Sequence, residues 1–321
     1  MSKLKAVSLF SGCGGFDYGV CQNGIDVIWA NDIDPHAMSG YKSIHPNTEF
    51  YLRDIRQIEN FPSADVLIGC YPCTGFSQAA RRRWKDLAPR DLMNVSGNFL
   101  YLEYLRALKQ IKPLFFMVEN VKGMVSAKNG WFFQEQLNGF KEAGYKTYFK
   151  LLRAHDFGVP QARERVFIVG FRQDLLIDCF SFPEATHGSN GLPYTTIKDA
   201  LNGMNLWPEG EFYNEPYHGH FLTRNRKKTW DDVSYTIVAN ASHVPLHPIG
   251  QSMIKIETDK WELQGDTNRR FSWKECVRLQ GLPDHINPNC SLTNKYKVVG
   301  NAVPPKFGDI LSKQVIKTLQ I

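Results

Sequence analysis

The sequence predicts an α/β fold, in which helices cover both faces of a doubly wound, mainly parallel sheet. Short apolar segments alternate with helical patterns as far as residue 171, as expected when crossover helices join parallel strands. One of these segments, residues 114–118, is continuously apolar and predicts a central strand buried on both faces. Residues 181–268 are instead rich in Pro, Gly, Asn, His and Trp, which predicts a second, smaller and loop-rich domain.

Composition sets broad limits on the function. A hydrophobic content of 43% with 22% charged residues is typical of a globular protein, and no apolar run is long enough to span a membrane. The N-terminus lacks a signal segment, and the seven irregularly spaced cysteines suit a reducing cytoplasm. The net charge of +6 leans towards a polyanionic partner.

The first two predicted strands carry the marks of a cofactor site. Residues 5–10 predict a strand, and the glycine-rich segment 11–16 after it lets a ligand approach the backbone and the next helix N-terminus. A second strand at 26–30 leads to Asp32, about 20 residues after the glycines, where a carboxylate can bind ribose hydroxyls. Asp54, beyond the third strand, can bind an adenine amino group or only cap a helix. A dinucleotide and S-adenosylmethionine both fit, although a missing third glycine disfavours NAD.

A cysteine follows the next predicted strand, residues 64–68. Proline fixes φ just before Cys73, and Gly75 lets the backbone turn after it, so the thiol would be held on a rigid loop at the ligand-binding edge. Such a thiol is a candidate nucleophile. The stretch alone also fits a small buried hydrophobic residue or, together with Cys70, a redox dithiol.

Charged residues flank the later strands. A helix at 97–111 precedes the central strand, which ends in Glu119; a carboxylate emerging from a buried strand is costly unless it has a partner or a task. Arg163 and Arg165, two residues apart at the start of the strand at 166–171, are predicted to project to the same face. Glu119 is therefore a candidate functional acid with arginines available nearby.

Basic runs and histidines mark the remaining chain. Each run fits either a solvated surface or a phosphate contact. The histidines at 218, 220, 243 and 247 lack acidic or cysteine partners at matching spacing, so hydrogen-bonding or surface roles are favoured over a metal. A helix is predicted from Ser272 to Gln280, and a final helix from Tyr296 to the C-terminus. The basic runs are Arg81-Arg82-Arg83-Trp84-Lys85, Arg224-Asn225-Arg226-Lys227-Lys228 and Arg269-Arg270.

Taken in order, eight segments resemble the cytosine-C5 DNA methyltransferases over nearly the whole chain. The chain departs from the family at Thr74, where Gln or Asn is usual, and at Cys70-Tyr71, where the lead-in is usually Gly-Pro-Pro. The eight segments are Phe10-Ser11-Gly12-Cys13-Gly14-Gly15-Phe16, Asn31-Asp32-Ile33-Asp34, Asp54-Ile55, Pro72-Cys73-Thr74-Gly75-Phe76-Ser77, Glu119-Asn120-Val121, Gln161-Ala162-Arg163-Glu164-Arg165, Arg278-Leu279-Gln280-Gly281-Leu282-Pro283 and Gly300-Asn301-Ala302-Val303-Pro304.

The resemblance implies a fold and a reaction. It implies a Rossmann-like S-adenosylmethionine-dependent methyltransferase domain at residues 1–180 plus 292–321, and a target-recognition domain at residues 181–291. The implied activity is that of a DNA (cytosine-5-)-methyltransferase of the bacterial restriction-modification type, which flips a cytosine out of the duplex and attacks C6 with Cys73. Glu119 would hold N3 and the amino group, and Arg163 and Arg165 would orient the pocket. Cytosine C5 becomes nucleophilic only after a thiolate adds to C6, so the residues suit this chemistry.

The resemblance also implies binding partners. These are S-adenosyl-L-methionine, leaving as S-adenosyl-L-homocysteine, no metal, and double-stranded DNA, in a monomer functionally paired with a restriction endonuclease. We expect a cytoplasmic, nucleoid-associated protein of bacterial or phage origin without membrane contact. The implied cofactor residues are Phe10, Ser11, Gly12, Gly14, Gly15, Phe16, Asp32, Ile33, Asp54, Ile55, Pro72, Leu100, Asn301 and Val303. The candidate DNA contacts are Arg81, Arg82, Arg83, Arg224, Arg226, Lys227 and Lys228.

Three alternatives remain at this point. A methyltransferase for cytosine in RNA would be a near relative, but the Cys-Phe-Thr element of the tRNA-directed members is absent. A DNA-binding protein without catalysis would not need both Cys73 and Glu119. An oxidoreductase using Cys70 and Cys73 leaves the Glu-Asn-Val and Gln-x-Arg-x-Arg segments unexplained.

Overall fold

The computed structural model describes residues 3–72 and 92–320. Its strands form a seven-stranded sheet and two small two-stranded sheets. The strands are β1 (Leu4–Leu9), β2 (Ile25–Asp32), β3 (Glu49–Leu52), β4 (Val66–Gly69), β5 (Phe115–Val121), β6 (Tyr145–Arg153), β7 (Gln161–Ala162), β8 (Glu164–Arg172), β9 (Ser234–Tyr235), β10 (Ile254–Glu257) and β11 (Lys260–Glu262).

Helices alternate with these strands in the first half of the chain. The α-helices are α1 (Gly15–Cys21), α2 (Pro35–Ile44), α3 (Tyr101–Ile111), α4 (Gly123–Ser126), α5 (Trp131–Glu142), α6 (Ile197–Leu201), α7 (Trp273–Leu279), α8 (Leu292–Asn301) and α9 (Pro305–Leu319). Short 3₁₀ helices cover Ile55–Gln57, Leu92–Asn94, Ser96–Phe99, Ala127–Gly130, Ala154–Phe157, Gln173–Leu175, Gly219–Thr223 and Ala241–His243. In the described part of the chain, every helix is too short or too polar to cross a membrane.

The large sheet confirms the predicted α/β class. Its strand order is β3-β2-β1-β4-β5-β8-β6. Strands β1 to β5 run parallel, whereas β8 lies antiparallel between β5 and β6. The carboxyl ends of β1, β2, β4 and β5 therefore meet at one edge, where β8 also begins; we call it the carboxyl edge. Ligands of doubly wound sheets bind at this edge, where the strand order reverses.

The two faces of the sheet bury separate hydrophobic clusters. On β5, Phe116 and Val118 point into one cluster and Phe115 and Met117 into the other, as the two-residue period of a strand requires. Helices α3 and α5 cover the first face, and α1 and α9 cover the second. Each fully buried aromatic or aliphatic side chain contributes about 1.5–3 kcal/mol. Both faces of the sheet are therefore covered, and its carboxyl edge is the place where ligands of such sheets bind.

The C-terminal helix packs against the first helix. A Cβ on Gly19 would lie 1.8 Å from the Pro305 carbonyl oxygen, and one on Gly308 would lie 2.1 Å from that of Phe16. The single final helix predicted from Tyr296 is wrong in detail. Because proline has no N–H to donate, the chain breaks before Pro305 into α8 and α9.

The 181–291 region has few regular elements and packs against the part of the chain that forms the large sheet. The β-branched and apolar run at residues 234–239 forms only a short strand, in which Ser234 and Tyr235 pair with β7. Beyond them, side chains take over the backbone hydrogen bonds, since Gln161 Oε1 accepts from Ile237 N and Arg163 donates to Ile237 O. A third hydrophobic cluster contains residues of both regions, including Cys13, Phe271 and Val298.

Candidate active site

Several residues expected in the site lie outside the described part of the chain. They are Cys73, the following Thr74 to Ser77, and the basic residues Arg81, Arg82 and Arg83. The structure does describe the chain up to Pro72, which is exposed at the carboxyl edge directly after β4 and Tyr71. Cys73 is the next residue in the sequence after Pro72.

The structure brings Glu119 and Arg165 together at the carboxyl edge. Glu119 lies near the end of β5 and is only 8% exposed. Arg165 lies near the start of β8, where it pairs with Val121. Arg165 Nε lies 2.7 Å from Glu119 Oε1. Despite this distance, Oε1 makes no hydrogen bond to any described residue. The pair is held by charge, and one buried carboxylate oxygen is left to accept from a ligand.

Arg163 lies nearby but contacts different groups. Its Nη1 donates to the carbonyl oxygens of Ile237, at 3.3 Å, and Gly300, at 3.2 Å. Burial, and secondly the charge of Arg165, lower the pKa of Arg163 to about 9. Within the described residues its Nε has no partner. The guanidinium thus joins the 181–291 region to the end of α8, whereas it is the guanidinium of Arg165 that forms an ion pair with Glu119.

Cys70 has the properties of a structural residue. Burial, and secondly the carboxylate of Glu119, raise the pKa of its thiol well above the usual range. A redox dithiol needs a thiolate at neutral pH. The environment of Cys70 therefore disfavours the dithiol hypothesis.

Two glycines after β1 face different surroundings. Gly12 has φ +55°, and a Cβ there would have no atom within 4 Å. Gly14 has φ +79°, and a Cβ there would lie 2.6 Å from the His45 ring and 2.8 Å from that of Tyr41. Gly12 therefore borders open space at the carboxyl edge, whereas Gly14 is packed against the protein.

An acidic residue and an apolar side chain lie beside that open space. Asp32 accepts hydrogen bonds from the backbone N–H groups of Gly12 and Asp34, both at 2.9 Å, and burial raises its pKa. The next side chain, Ile33, is 64% exposed. An open glycine turn, a fixed carboxylate and an exposed apolar side chain fit the methionine, ribose and adenine parts of S-adenosylmethionine.

The other predicted cofactor residues differ in how exposed they are. Asp54 is held by Arg56, whose side chain lowers its pKa, and Ile55 is buried beneath it. Phe10, Ser11, Leu100 and Asn301 are half-buried or exposed near strand or helix ends. Gly15, Phe16 and Val303 instead pack in the interior: a Cβ on Gly15 would lie 2.4 Å from Val303 O, and Phe16 stacks on Phe167.

The basic run at 224–228 is split by burial. Arg224 is exposed, and Lys228 is half-exposed, 3.9 Å from Asp232. Arg226 is buried and donates to Phe221 O. Lys227 is also buried, its Nζ donates to Gln251 O and Asn268 Oδ1, and burial lowers its pKa to about 8. The placement of Arg226 and Lys227 gives no support to the expected phosphate contacts, since their donors serve the fold.

Buried amides whose roles were not evident from the sequence connect the site to its surroundings. Gln161 Nε2 donates to Gln280 Oε1 at 2.7 Å, and Gln280 Nε2 donates to Val299 O at 2.7 Å; neither glutamine is exposed. Asn120 Nδ2 donates to Tyr71 O. One signal in the sequence could nevertheless have pointed to these amides, because polar residues within apolar motifs are buried and therefore need hydrogen-bond partners.

Histidines of the 181–291 region take hydrogen-bonding positions. The His220 and His243 rings lie 5.7 Å apart, and buried His247 accepts from Ile249 N. Across residues 3–72 and 92–320, no three His, Cys, Asp or Glu side chains form a group able to hold a metal ion.

Comparison with known proteins identifies the family. Residues 4–317 match the C-5 cytosine-specific DNA methylase family. The chain is 37% identical to the Type II methyltransferase M.BspRI of Lysinibacillus sphaericus, over 98% of this chain and 81% of that protein. It is also 37% identical to the Type II methyltransferase M.FnuDI of Fusobacterium nucleatum, over 98% and 95%.

Solved structures share the fold at low sequence identity. The Entamoeba histolytica methyltransferase EhMeth matches with a TM-score of 0.71 at 17% identity, over 99% of both chains. The S. pombe Dnmt2 methyltransferase matches with a TM-score of 0.69 at 18% identity, over 99% of this chain and all of that one. These structures show the fold, whereas the family match and the sequence matches show that the chain belongs to the C-5 cytosine-specific DNA methylase family and is a DNA (cytosine-5-)-methyltransferase.

Proposed function

We propose that this enzyme flips a target cytosine out of duplex DNA and uses Cys73 as the nucleophile that activates it. The observation that carries the proposal is the Glu119–Arg165 pair, which leaves a buried carboxylate oxygen without a hydrogen bond at the carboxyl edge. A buried, unsatisfied carboxylate is costly, so it persists where a ligand completes it. Cytosine, with an amino group next to N3, offers the matching donor.

The chemistry then follows from cytosine itself. The Cys73 thiolate forms an S–C6 bond, and the displaced electron pair makes C5 nucleophilic. S-Adenosylmethionine, when bound, supplies the methyl group. Removal of the C5 proton and release of the Cys73 thiolate restore the aromatic ring. Because C6 is inaccessible inside the base stack, the target must leave the duplex first.

Glu119 would serve as the acid that contacts N3 and the amino group. Protonation of N3, or a hydrogen bond to it, draws electrons from C6 and lowers the barrier to thiolate addition. Arg165 would hold the Glu119 carboxyl in place, since its Nε lies 2.7 Å from Oε1. Arg163 would orient the site less directly, through the carbonyl groups of Ile237 and Gly300.

The cofactor would lie over the open turn at Gly12. We assign the ribose hydroxyls to the Asp32 carboxylate and an adenine face to Ile33, with Phe10, Asp54, Pro72, Leu100 and Asn301 around them. The space at Gly12 and the exposure of Ile33 support this assignment. Gly15, Phe16 and Val303 would contribute by shaping the turn from beneath.

Duplex DNA would be contacted by Arg81, Arg82, Arg83, Arg224 and Lys228. Phosphate contacts of this kind give affinity without sequence information. We further propose that the enzyme works as a monomer in a restriction-modification system, protecting DNA from a cognate endonuclease; its Type II relatives support this role.

Methyl transfer to defined nucleic acids tests the proposal. The enzyme is incubated with radiolabelled S-adenosylmethionine and either unmethylated duplex DNA or tRNA, and the labelled nucleoside is identified. We expect 5-methylcytosine in DNA only, no transfer by Cys73→Ser, and near-normal transfer by the matched control Cys70→Ser. Label in tRNA alone, or full activity of Cys73→Ser, would contradict the proposal.

A further inference from the structure

Tyr71 is held by a buried hydrogen bond that crosses from the carboxyl edge to α5. Its hydroxyl donates to Gln136 Oε1 at 2.5 Å, and both side chains are buried. Gln136 is itself fixed, since its Nε2 donates to Phe132 O at 3.0 Å within the same helix. The Tyr71 side chain is therefore attached to a rigid helix rather than to a loop.

The backbone of Tyr71 is tied to β5. Asn120 Nδ2 donates to the Tyr71 carbonyl oxygen at 3.3 Å, and Asn120 Oδ1 accepts from Val121 N at 2.8 Å. Asn120 directly follows Glu119 in the strand. The carbonyl of Tyr71 is thereby restrained relative to the strand that carries the candidate acid.

The ring of Tyr71 also lies against the turn after β1. Its centroid is 6.3 Å from that of Phe10, edge to face, and 5.5 Å from that of Tyr104. Phe10 has φ 55°, the left-handed conformation that begins the turn bordering the cofactor space. Tyr71 thus contacts the turn near Gly12 and helix α5 through its side chain, and Asn120, beside Glu119, through its carbonyl oxygen.

We propose that Tyr71 is a positioning residue for methyl transfer, acting through its hydrogen bond to Gln136. Cys73 follows it by two residues, so the inference rests on the proposed role of Cys73 as nucleophile. At this position the resembled family usually has proline, which restricts φ covalently. Tyrosine has no such restriction, and the bonds to Gln136 and Asn120 supply the restraint from outside the backbone.

The hydroxyl, rather than the ring, carries the positioning role. A phenylalanine at position 71 would keep the contacts with Phe10 and Tyr104 but would release the backbone from α5. It would also leave Gln136 Oε1 buried without its donor, which costs stability. Loss of restraint and loss of stability must therefore be separated by experiment.

Three variants and one control make that separation. Tyr71→Phe and Gln136→Met break the bond from either end, and the double variant also removes the unsatisfied acceptor. Tyr145→Phe is the matched control, because its buried hydroxyl donates to Pro113 O at the opposite edge of the sheet. Measurements are the single-turnover rate on unmethylated duplex DNA, the dissociation constants of S-adenosylmethionine and DNA, and the thermal midpoint.

We expect both single variants to slow methyl transfer by roughly 10-fold or more, since a small misplacement of a reacting group has effects of this order. Both dissociation constants should stay within about twofold of the parent value. The double variant should regain thermal stability but not rate, and Tyr145→Phe should lose stability but not rate.

Two results would overturn the inference: an unchanged rate in both single variants, or recovery of rate together with stability in the double variant. A parallel experiment with duplex DNA containing 5-fluorocytosine separates this failure from that of the proposed function. If the parent enzyme forms no covalent adduct at Cys73, the proposed nucleophile is wrong. If parent and Tyr71→Phe form the adduct equally fast, only the positioning role is wrong.

Discussion

Two glutamate–arginine pairs of this chain differ in how completely they are buried and hydrogen-bonded. In the 181–291 region, Arg269 donates two hydrogen bonds of 2.7 Å to Glu275, whose Oε2 also accepts from Ser272 N. At the carboxyl edge, Arg165 contacts Glu119 through one 2.7 Å approach that is not a hydrogen bond. The two pairs cannot be told apart from the sequence, because each consists of a Glu and an Arg near apolar segments.

The difference in hydrogen bonding indicates a structural role for Glu275 and a functional role for Glu119. Burying an ion pair costs desolvation energy that only complete hydrogen bonding offsets, so the Glu275 pair is built to hold a loop-rich region together. The Glu119 pair gives up that stability and leaves an acceptor for a ligand. Completeness of hydrogen bonding is thus the property that distinguishes the two carboxylates.

The largest effect should come from the incomplete pair. Glu119→Gln removes the acid that would act on N3, and we expect methyl transfer to fall by roughly 10²–10⁴-fold, the range for loss of a general acid. Stability should fall less than in Glu275→Gln, because Arg165 is partly exposed and only its single ion-pair contact with Glu119 is lost. Single-turnover rates with thermal melts check both points; a folded, fully active variant would contradict the account.

The complete pair should respond in the opposite way. Glu275→Gln leaves Arg269 buried without its counter-charge, and we expect the unfolding free energy to fall by about 3–5 kcal/mol. The remaining folded protein should transfer methyl groups normally. Glu164→Gln is the control, since its ion pairs with Lys122 and Arg153 are partly exposed and worth about 1 kcal/mol or less. Urea titration compares the two.

His247, beside the complete pair, should give stability a pH dependence. Burial, then the charges of Arg269 and Lys227, lower its pKa from 6.5 to about 3. Below pH 6.5 the unfolded chain binds a proton that the folded protein does not, so stability falls as pH falls. Between pH 6.5 and 5 we expect a loss of about 2 kcal/mol that His247→Asn lacks. The unfolding free energy is measured by urea titration at each pH. If it falls equally with pH in the parent and in His247→Asn, His247 is not the source of the pH dependence.

The two glycines after β1 extend the comparison to the cofactor site. Gly12→Ala places a methyl group in open space, so we expect about 10-fold weaker S-adenosylmethionine binding, about 1.4 kcal/mol, and a modest strain from its positive φ. Gly14→Ala meets His45 and Tyr41 instead and should mainly destabilise the fold. Calorimetric titration and thermal melts distinguish them; equal binding losses in both variants would argue against an open cofactor space at Gly12.

The smallest effect concerns the basic run. Lys228→Ala should reduce the salt dependence of DNA binding by about one unit of slope, as expected for one phosphate contact. Lys227→Ala should leave the slope unchanged and lower stability, because its Nζ is bonded to Gln251 and Asn268. DNA binding measured across a salt series distinguishes the two residues. A smaller salt slope in Lys227→Ala, with an unchanged slope in Lys228→Ala, would instead indicate that Lys227 contacts DNA.

Much of the fold followed from periodicity, and some of the site did not. The apolar segments of β1 and β5 and the helical pattern of α3 were predictable because burial imposes local periods of two and 3.6 residues. The burial of Arg226 and Lys227 was not predictable, because a run of basic residues has the same sequence whether it is exposed to solvent or buried in a loop-rich region. The short β9 was equally hidden, because Gln161 and Arg163, distant in sequence, take over its backbone bonds.

The most direct test of the account is to trap the covalent adduct. Parent enzyme, Cys73→Ser and Glu119→Gln are each incubated with S-adenosylmethionine and duplex DNA containing 5-fluorocytosine, which has no C5 hydrogen to lose. Peptide mass spectrometry then locates any attached base. The account predicts an adduct on Cys73 in the parent enzyme, none in Cys73→Ser and much slower formation in Glu119→Gln. An adduct on another residue, or one formed at full rate without Glu119, would contradict it.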